Sequence, residues 1–101
     1  DNLTIKGDLN LAYTKIKILP ESLSVGRSLN LRNTKIEVLP DNLFVNGSMN
    51  LSYSKIEILP KNLSVNGNLY LEYSKVKFLP ENFSIGESLE LANTEIEILP
   101  K

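Results

Sequence analysis

The side chains that most often do chemistry near neutral pH are missing: the 101 residues include no histidine and no cysteine. Their absence removes the commonest metal ligand, the usual general base, the thiolate nucleophile and any disulfide framework. Carboxylates, lysines, tyrosines and amides remain. Glu95 and Glu97 sit two residues apart, as an acid/base pair could, but no pocket motif accompanies them and exposed strand charge is the commoner meaning. The residue types therefore point to a protein that is not an enzyme and that needs neither a metal nor a cofactor.

Binding is the chemistry these residues can offer. Lys15, Lys35, Lys55 and Lys75 recur every twenty residues, and Glu95 ends the row. Lysines stacked at that interval repel one another, although the place beside them carries Lys17, Glu37, Glu57, Lys77 and Glu97, whose glutamates can neutralise much of the row. The row is either an anion-binding stripe for a polysaccharide, lipid headgroup or nucleic acid, or a solvated face that resists lateral sheet pairing. A formal net charge of −1 favours the solvated face. It also leaves no electrostatic footprint for nucleic acid, so no nucleic-acid partner is expected. Tyr13, Tyr53 and Tyr73 share one place of the period, with Asn33 and Asn93 in the other units, and Tyr70 lies near Tyr73. Tyrosine gives large contact area at low entropy cost and is enriched at interface hot spots. The alternative is that the rings only stack on neighbouring units and shield the turn beneath. Asn10, Asn30 and Asn50 also align, as an external amide ladder would. Ala12, Arg32, Ser52, Glu72 and Ala92 occupy the place before the tyrosines, and these outward places vary more than the apolar ones. The candidate ligand contacts are thus Tyr13, Tyr53, Tyr70, Tyr73, Arg32, Glu72, Lys35, Lys55 and Lys75. Asn-x-Ser/Thr triplets begin at Asn2, Asn46, Asn50, Asn62 and Asn82; they follow from the repeat's composition and matter only in a eukaryotic secretory setting.

The elements that must position these residues follow from the period itself. The chain divides into units 1–20, 21–40, 41–60, 61–80 and 81–100, each ending in proline, with Lys101 left over and no insertion breaking the phase. Counting places within the unit, the third is Leu or Phe, the fifth Ile or Val, the ninth Leu or Met, and the eleventh and nineteenth always Leu. Fixed self-similarity of this length marks a solenoid. Places 3, 5, 9 and 11 alternate with polar residues, the mark of strands with one buried face. A helical spacing is not sustained, and a proline in every unit limits any helix. The pattern predicts a strand around places 8–12, a second extended piece at 3–5 and a third at 16–18. Gly7, Gly26, Gly47, Gly67 and Gly86 fit a corner needing positive φ, and Leu-Pro marks the other corner. One coil cannot bury its own apolar side chains; stacking lets each column pack on itself at ~4.8 Å per step.

The segment Leu29–Pro40, LNLRNTKIEVLP, resembles the consensus of bacterial leucine-rich repeats, L-x-L-x-x-N-x-L-x-x-L-P. The likeness runs through all five units, and twenty residues is the repeat length found in the leucine-rich repeats of type III-secreted effectors. It implies a recognition scaffold without identifying a ligand. Two departures stand out. The family's bridging asparagine falls on Thr14, Thr34, Ser54, Ser74 and Thr94, whose hydroxyls can bond to the backbone of a turn. Leu-x-Val-x-Gly also replaces the family's return segment. The expected fold is a mainly β, leucine-rich-repeat-like parallel solenoid of five coils in a single domain, with little or no helix. Because both sides look extended, the stack should be nearly straight rather than a horseshoe.

Place 18 is always apolar: Ile18, Val38, Ile58, Phe78 and Ile98. If place 16 points inward on a regular strand, place 18 does too and forms a third core column, the arrangement favoured by the alternation. If Leu19 points inward instead, place 18 becomes an exposed apolar ridge suited to a partner. Neither terminal unit has the polar character of a cap. The expectation is a piece of a longer array, or a chain capped by another molecule, with end-to-end self-association. No apolar run approaches the ~20 residues of a transmembrane helix, and no signal peptide is evident, so membrane insertion is not expected. Two functions fit: a non-catalytic protein- or glycan-binding scaffold, favoured by variable outward places on a rigid frame, and a structural spacer within a larger secreted, surface or phage protein, suggested by how little the units vary.

Overall fold

A computed structural model describes residues 3–80, 83–90 and 94. Where two inward apolar residues flank one outward residue, the chain extends, and every unit has this pattern twice, at places 3–5 and 9–11. The strands are β1 (Leu3–Ile5), β2 (Leu9–Asn10), β3 (Leu23–Val25), β4 (Leu29–Asn30), β5 (Phe44–Val45), β6 (Met49–Asn50), β7 (Ser64–Val65), β8 (Leu69–Tyr70), β9 (Ser84–Ile85) and β10 (Leu89–Glu90). Odd strands form one parallel sheet and even strands a second, each in coil order. Pairing is always between residues twenty apart, as in Leu3↔Leu23 and Val45↔Val65 in one sheet and Leu9↔Leu29 and Met49↔Leu69 in the other. No helix occurs among the described residues. The molecule is therefore a parallel β-solenoid. Both sides advance by one strand spacing per coil, so nothing wedges the coils apart on one side and the stack runs nearly straight.

The core is the set of columns that the period lays on top of one another. In the inner coils, places 3, 5, 9, 11 and 16 are sealed from solvent: Leu43, Val45, Met49, Leu51 and Ile56 belong to one layer, Leu23, Val25, Leu29, Leu31 and Ile36 to the layer before. In the first coil Leu3 is exposed, and Ile5, Leu9, Leu11 and Ile16 are only partly covered.

Four expectations are corrected. Place 18 is not a core column: Ile18, Val38, Ile58 and Phe78 are 75%, 71%, 69% and 48% exposed, and Ile98 lies outside the described residues. Among the described residues, places 16–18 form no strand, only an isolated bridge between Ile58 and Phe78, so the chain is free to rotate past place 17. Leu19, Leu39 and Leu59 then point inward in place 18's stead. The corner glycines do not have positive φ; non-glycine residues at places 2 and 13 do, with Ser22, Asn42 and Asn62 at φ of 57°, 64° and 58°. The strand of the second sheet is also shorter than places 8–12, ending at place 10.

Polar columns fasten the coils. At place 8, each side chain accepts the backbone N–H of the equivalent residue one coil on: Asp8 from Ser28 at 2.9 Å, Ser28 from Ser48 at 3.2 Å, Ser48 from Asn68 at 2.9 Å and Asn68 from Ser88 at 2.9 Å. At place 14, Thr14 and Thr34 donate their hydroxyls to the carbonyls of Leu11 and Leu31 at 2.6 and 2.9 Å. Ser54 and Ser74 occupy the same buried place, yet their hydroxyl oxygens have no hydrogen-bond partner. A buried hydroxyl that bonds contributes stability and one that does not is a burden. Thr34→Ala is accordingly expected to cost about 1–2 kcal/mol, whereas Ser54→Ala should be neutral or slightly stabilising. Urea unfolding of the two variants measures this; equal losses would contradict it.

Candidate functional site

The outward tyrosines are set by a turn that the strand's own last residue builds. At place 10, Asn10, Asn30 and Asn50 turn their side-chain oxygens back to accept the N–H two residues on, from Ala12 at 3.1 Å, Arg32 at 3.1 Å and Ser52 at 2.9 Å. These amides therefore close their own turns rather than forming the amide ladder expected along the column. Place 13 follows in the left-handed region: Tyr13, Asn33, Tyr53 and Tyr73 have φ of 62°, 55°, 60° and 59°. In the first three coils that conformation sends the N–H to the place-12 carbonyl of the next coil, Tyr13 to Arg32 at 2.9 Å, Asn33 to Ser52 at 3.0 Å and Tyr53 to Glu72 at 3.0 Å. The side chains are directed to the surface, where Tyr13, Tyr53 and Tyr73 are all exposed.

These rings form a connected column. Tyr53 and Tyr73 stack with centroids 4.8 Å apart and planes within 8°, one coil step along the sheet spacing. Asn33 interrupts the series, and Arg32 spans the interruption. Its guanidinium carbon stands 4.7 Å from the centroid of Tyr53, and its Nε donates to the Tyr13 hydroxyl at 3.1 Å. A cation over an aromatic face at this distance contributes about 0.5–1 kcal/mol at an exposed site.

Beside the column lies a cleft of about 260 Å³ running across the first three coils. Its sides come from successive places of the same turn. Tyr13, Asn33 and Tyr53 form one wall; Thr14 and Thr34 lie between; Lys15, Lys35 and Lys55 form the other wall. All three lysines are exposed, and among the described residues none of them has an ion-pair partner. A second cleft of about 290 Å³, at the proline corner, is lined by Glu21, Ser22, Pro40, Asp41 and Asn42 and offers no aromatic or cationic group.

Of the residues singled out in the sequence, Tyr13, Tyr53, Tyr73 and Arg32 are joined in the column, and Lys35 and Lys55 line the cleft beside it. Lys75 continues the lysine row beyond the cleft. Tyr70 is part of β8, half-buried, and its hydroxyl accepts from the Asn68 amide at 3.0 Å; it makes no ring contact with Tyr73. Glu72 is half-buried, and its backbone carbonyl serves Tyr53. Lys15, Asn33 and the two threonines enter the cleft without having been chosen as contacts. Thr14 and Lys15 follow Tyr13 directly in the chain, and Asn33 and Thr34 precede Lys35; stacking of the coils brings the two groups together.

Among the described residues, no group of three or more acidic side chains could hold a metal ion, and no helix is long and apolar enough to cross a membrane. No protein-family model, no curated protein and no solved structure matches the chain.

Proposed function

We propose that the chain is a non-catalytic binding scaffold for a protein or glycan partner, and that its binding face is the tyrosine column with the adjoining cleft. The observation that supports this reading is the left-handed backbone beneath Tyr13, Tyr53 and Tyr73. That region suits Gly and Asn, and a bulky side chain there costs roughly 1–2 kcal/mol. Asn33 illustrates the residue that local structure prefers. Stacking offsets part of the cost for Tyr53 and Tyr73, at about 0.5–1.5 kcal/mol for the pair. Tyr13 has only the hydrogen bond from Arg32. Strained backbone concentrates at functional sites, and exposed tyrosines maintained against local preference fit contact residues better than shielding. The likeness of the Leu-x-Leu-x-x-Thr segment to leucine-rich repeats supports the same reading.

Stability and binding should therefore separate. Tyr13→Asn is expected to leave the unfolding free energy unchanged or raise it by up to about 1 kcal/mol, since it relieves the backbone. Capture of ligand on a glycan array or of partner in a pull-down should fall with the same substitution. A loss of more than about 1 kcal/mol in urea unfolding would make the ring a structural shield and sink the proposal.

A further inference from the structure

We infer that the cleft beside the tyrosine column binds a linear acidic saccharide built of hexuronic acids, lying along the solenoid axis. This rests on the tyrosine column being the binding face, and assigns its ligand class. The cleft is a trough flanked by Tyr13, Asn33 and Tyr53 on one side and by Lys15, Lys35 and Lys55 on the other; the lysines repeat at every coil step, ~4.8 Å, and the two tyrosines stand two steps apart. One pyranose ring spans a similar distance, so a chain of sugars places one ring against each coil. Lys15, Lys35 and Lys55 supply one positive charge per step and have no ion-pair partner among the described residues. A hexuronic acid supplies one carboxylate per ring, which matches them one for one. Tyr13 offers apolar ring surface, and Tyr53, whose faces are covered by Tyr73 and Arg32, offers its ring edge and hydroxyl, to a sugar whose own surface is part C–H and part O–H. Asn33 leaves the aromatic wall open between them, with Arg32 bridging the rings and absent from the cleft's lining.

Charge argues against nucleic acid. Glu37 and Glu57 stand two residues beyond Lys35 and Lys55, also exposed, and reduce the positive field of the row, to which Lys17 adds. The whole chain carries −1, and a dense phosphodiester polyanion is normally met by a strongly basic face. A sparsely charged chain that the lysines can neutralise singly is the better complement.

The test titrates the intact chain with tetragalacturonate, its fully methyl-esterified form and pentathymidylate, by calorimetry at low salt. Tetragalacturonate is expected to bind, at least tenfold more tightly than the other two, and to weaken further as salt is raised. The double variant Lys35→Gln, Lys55→Gln changes only exposed side chains, so it should keep the circular dichroism spectrum and lose at least tenfold in affinity. No binding by tetragalacturonate, equal binding by its ester, indifference to the lysine variant, or tighter binding of pentathymidylate would each overturn the assignment. Such a failure leaves the Tyr13→Asn stability result as it was, whereas failure of the scaffold reading appears in that stability measurement itself.

Discussion

Gly67→Ala should destabilise the solenoid by about 2–3 kcal/mol, while Gly7→Ala should be neutral or stabilise it by up to about 1 kcal/mol. Neither glycine has positive φ, so the conformational argument usually made for a corner glycine does not separate them. What separates them is the coil below. A Cβ at Gly67 would lie 2.6 Å from the Ser48 hydroxyl and 2.9 Å from the carbonyl carbon and oxygen of Gly47. Backbone cannot yield there without disturbing the ladder on both sides, including the hydrogen bond from Gly67 N–H to the Gly47 carbonyl at 2.9 Å. At Gly7, in the first coil, a Cβ meets nothing within 4 Å. There alanine only narrows the unfolded ensemble. Thermal unfolding resolves the contrast, since 1 kcal/mol shifts the midpoint of a domain this size by roughly 4–8 °C. Equal shifts for the two variants would mean that close approach between coils is not what the glycines serve.

The glycine case shows what a sequence of this kind reveals and what it conceals. The twenty-residue phase and the columns at places 3, 5, 9, 11 and 16 were legible because stacking makes each column repeat its residue type. The reason for Gly26, Gly47, Gly67 and Gly86 was not, because it depends on backbone that arrives from the previous coil. Positive φ was misplaced for a related reason. Local rules assign it to Gly, but at place 13 the N–H must reach the carbonyl of the next coil, and that tertiary bond holds Tyr13 and Tyr53 in the left-handed region. In the candidate site, tyrosine and lysine were visible as residue types at fixed intervals. Arg32 as the bridge between Tyr13 and Tyr53 was not, since it lies in a different unit from either ring. A signal for the place-8 ladder did exist: Asp8, Ser28, Ser48, Asn68 and Ser88 are all short side chains with an acceptor oxygen.

Two isoleucines in one unit carry the largest contrast. Ile56→Ala should cost about 2–5 kcal/mol, and Ile58→Ala less than about 0.5 kcal/mol. Simple alternation puts both on the same face, two residues apart, and would give them similar losses. The structure separates them: Ile56 is 0% exposed and Ile58 is 69% exposed. Removing Ile56 opens a cavity between Ile36 and Val76, its neighbours in the column above and below, in a layer already closed by Leu51 and Leu59. A stack this short has few coils over which to spread the loss, and each coil contacts only its neighbours. Removing Ile58 takes apolar surface out of water-facing positions and leaves the core as it was. Lysine sharpens the comparison. Ile58→Lys should fold with a near-normal urea midpoint, because its ammonium stays in solvent, whereas Ile56→Lys would bury an unpaired charge and should not fold. Similar large losses for Ile56→Ala and Ile58→Ala would restore place 18 to the core and require the chain to stay extended from place 16 to place 18. A normal midpoint for Ile58→Lys instead fixes the rotation that directs Leu59 inward and leaves the Ile18, Val38, Ile58 and Phe78 ridge facing solvent.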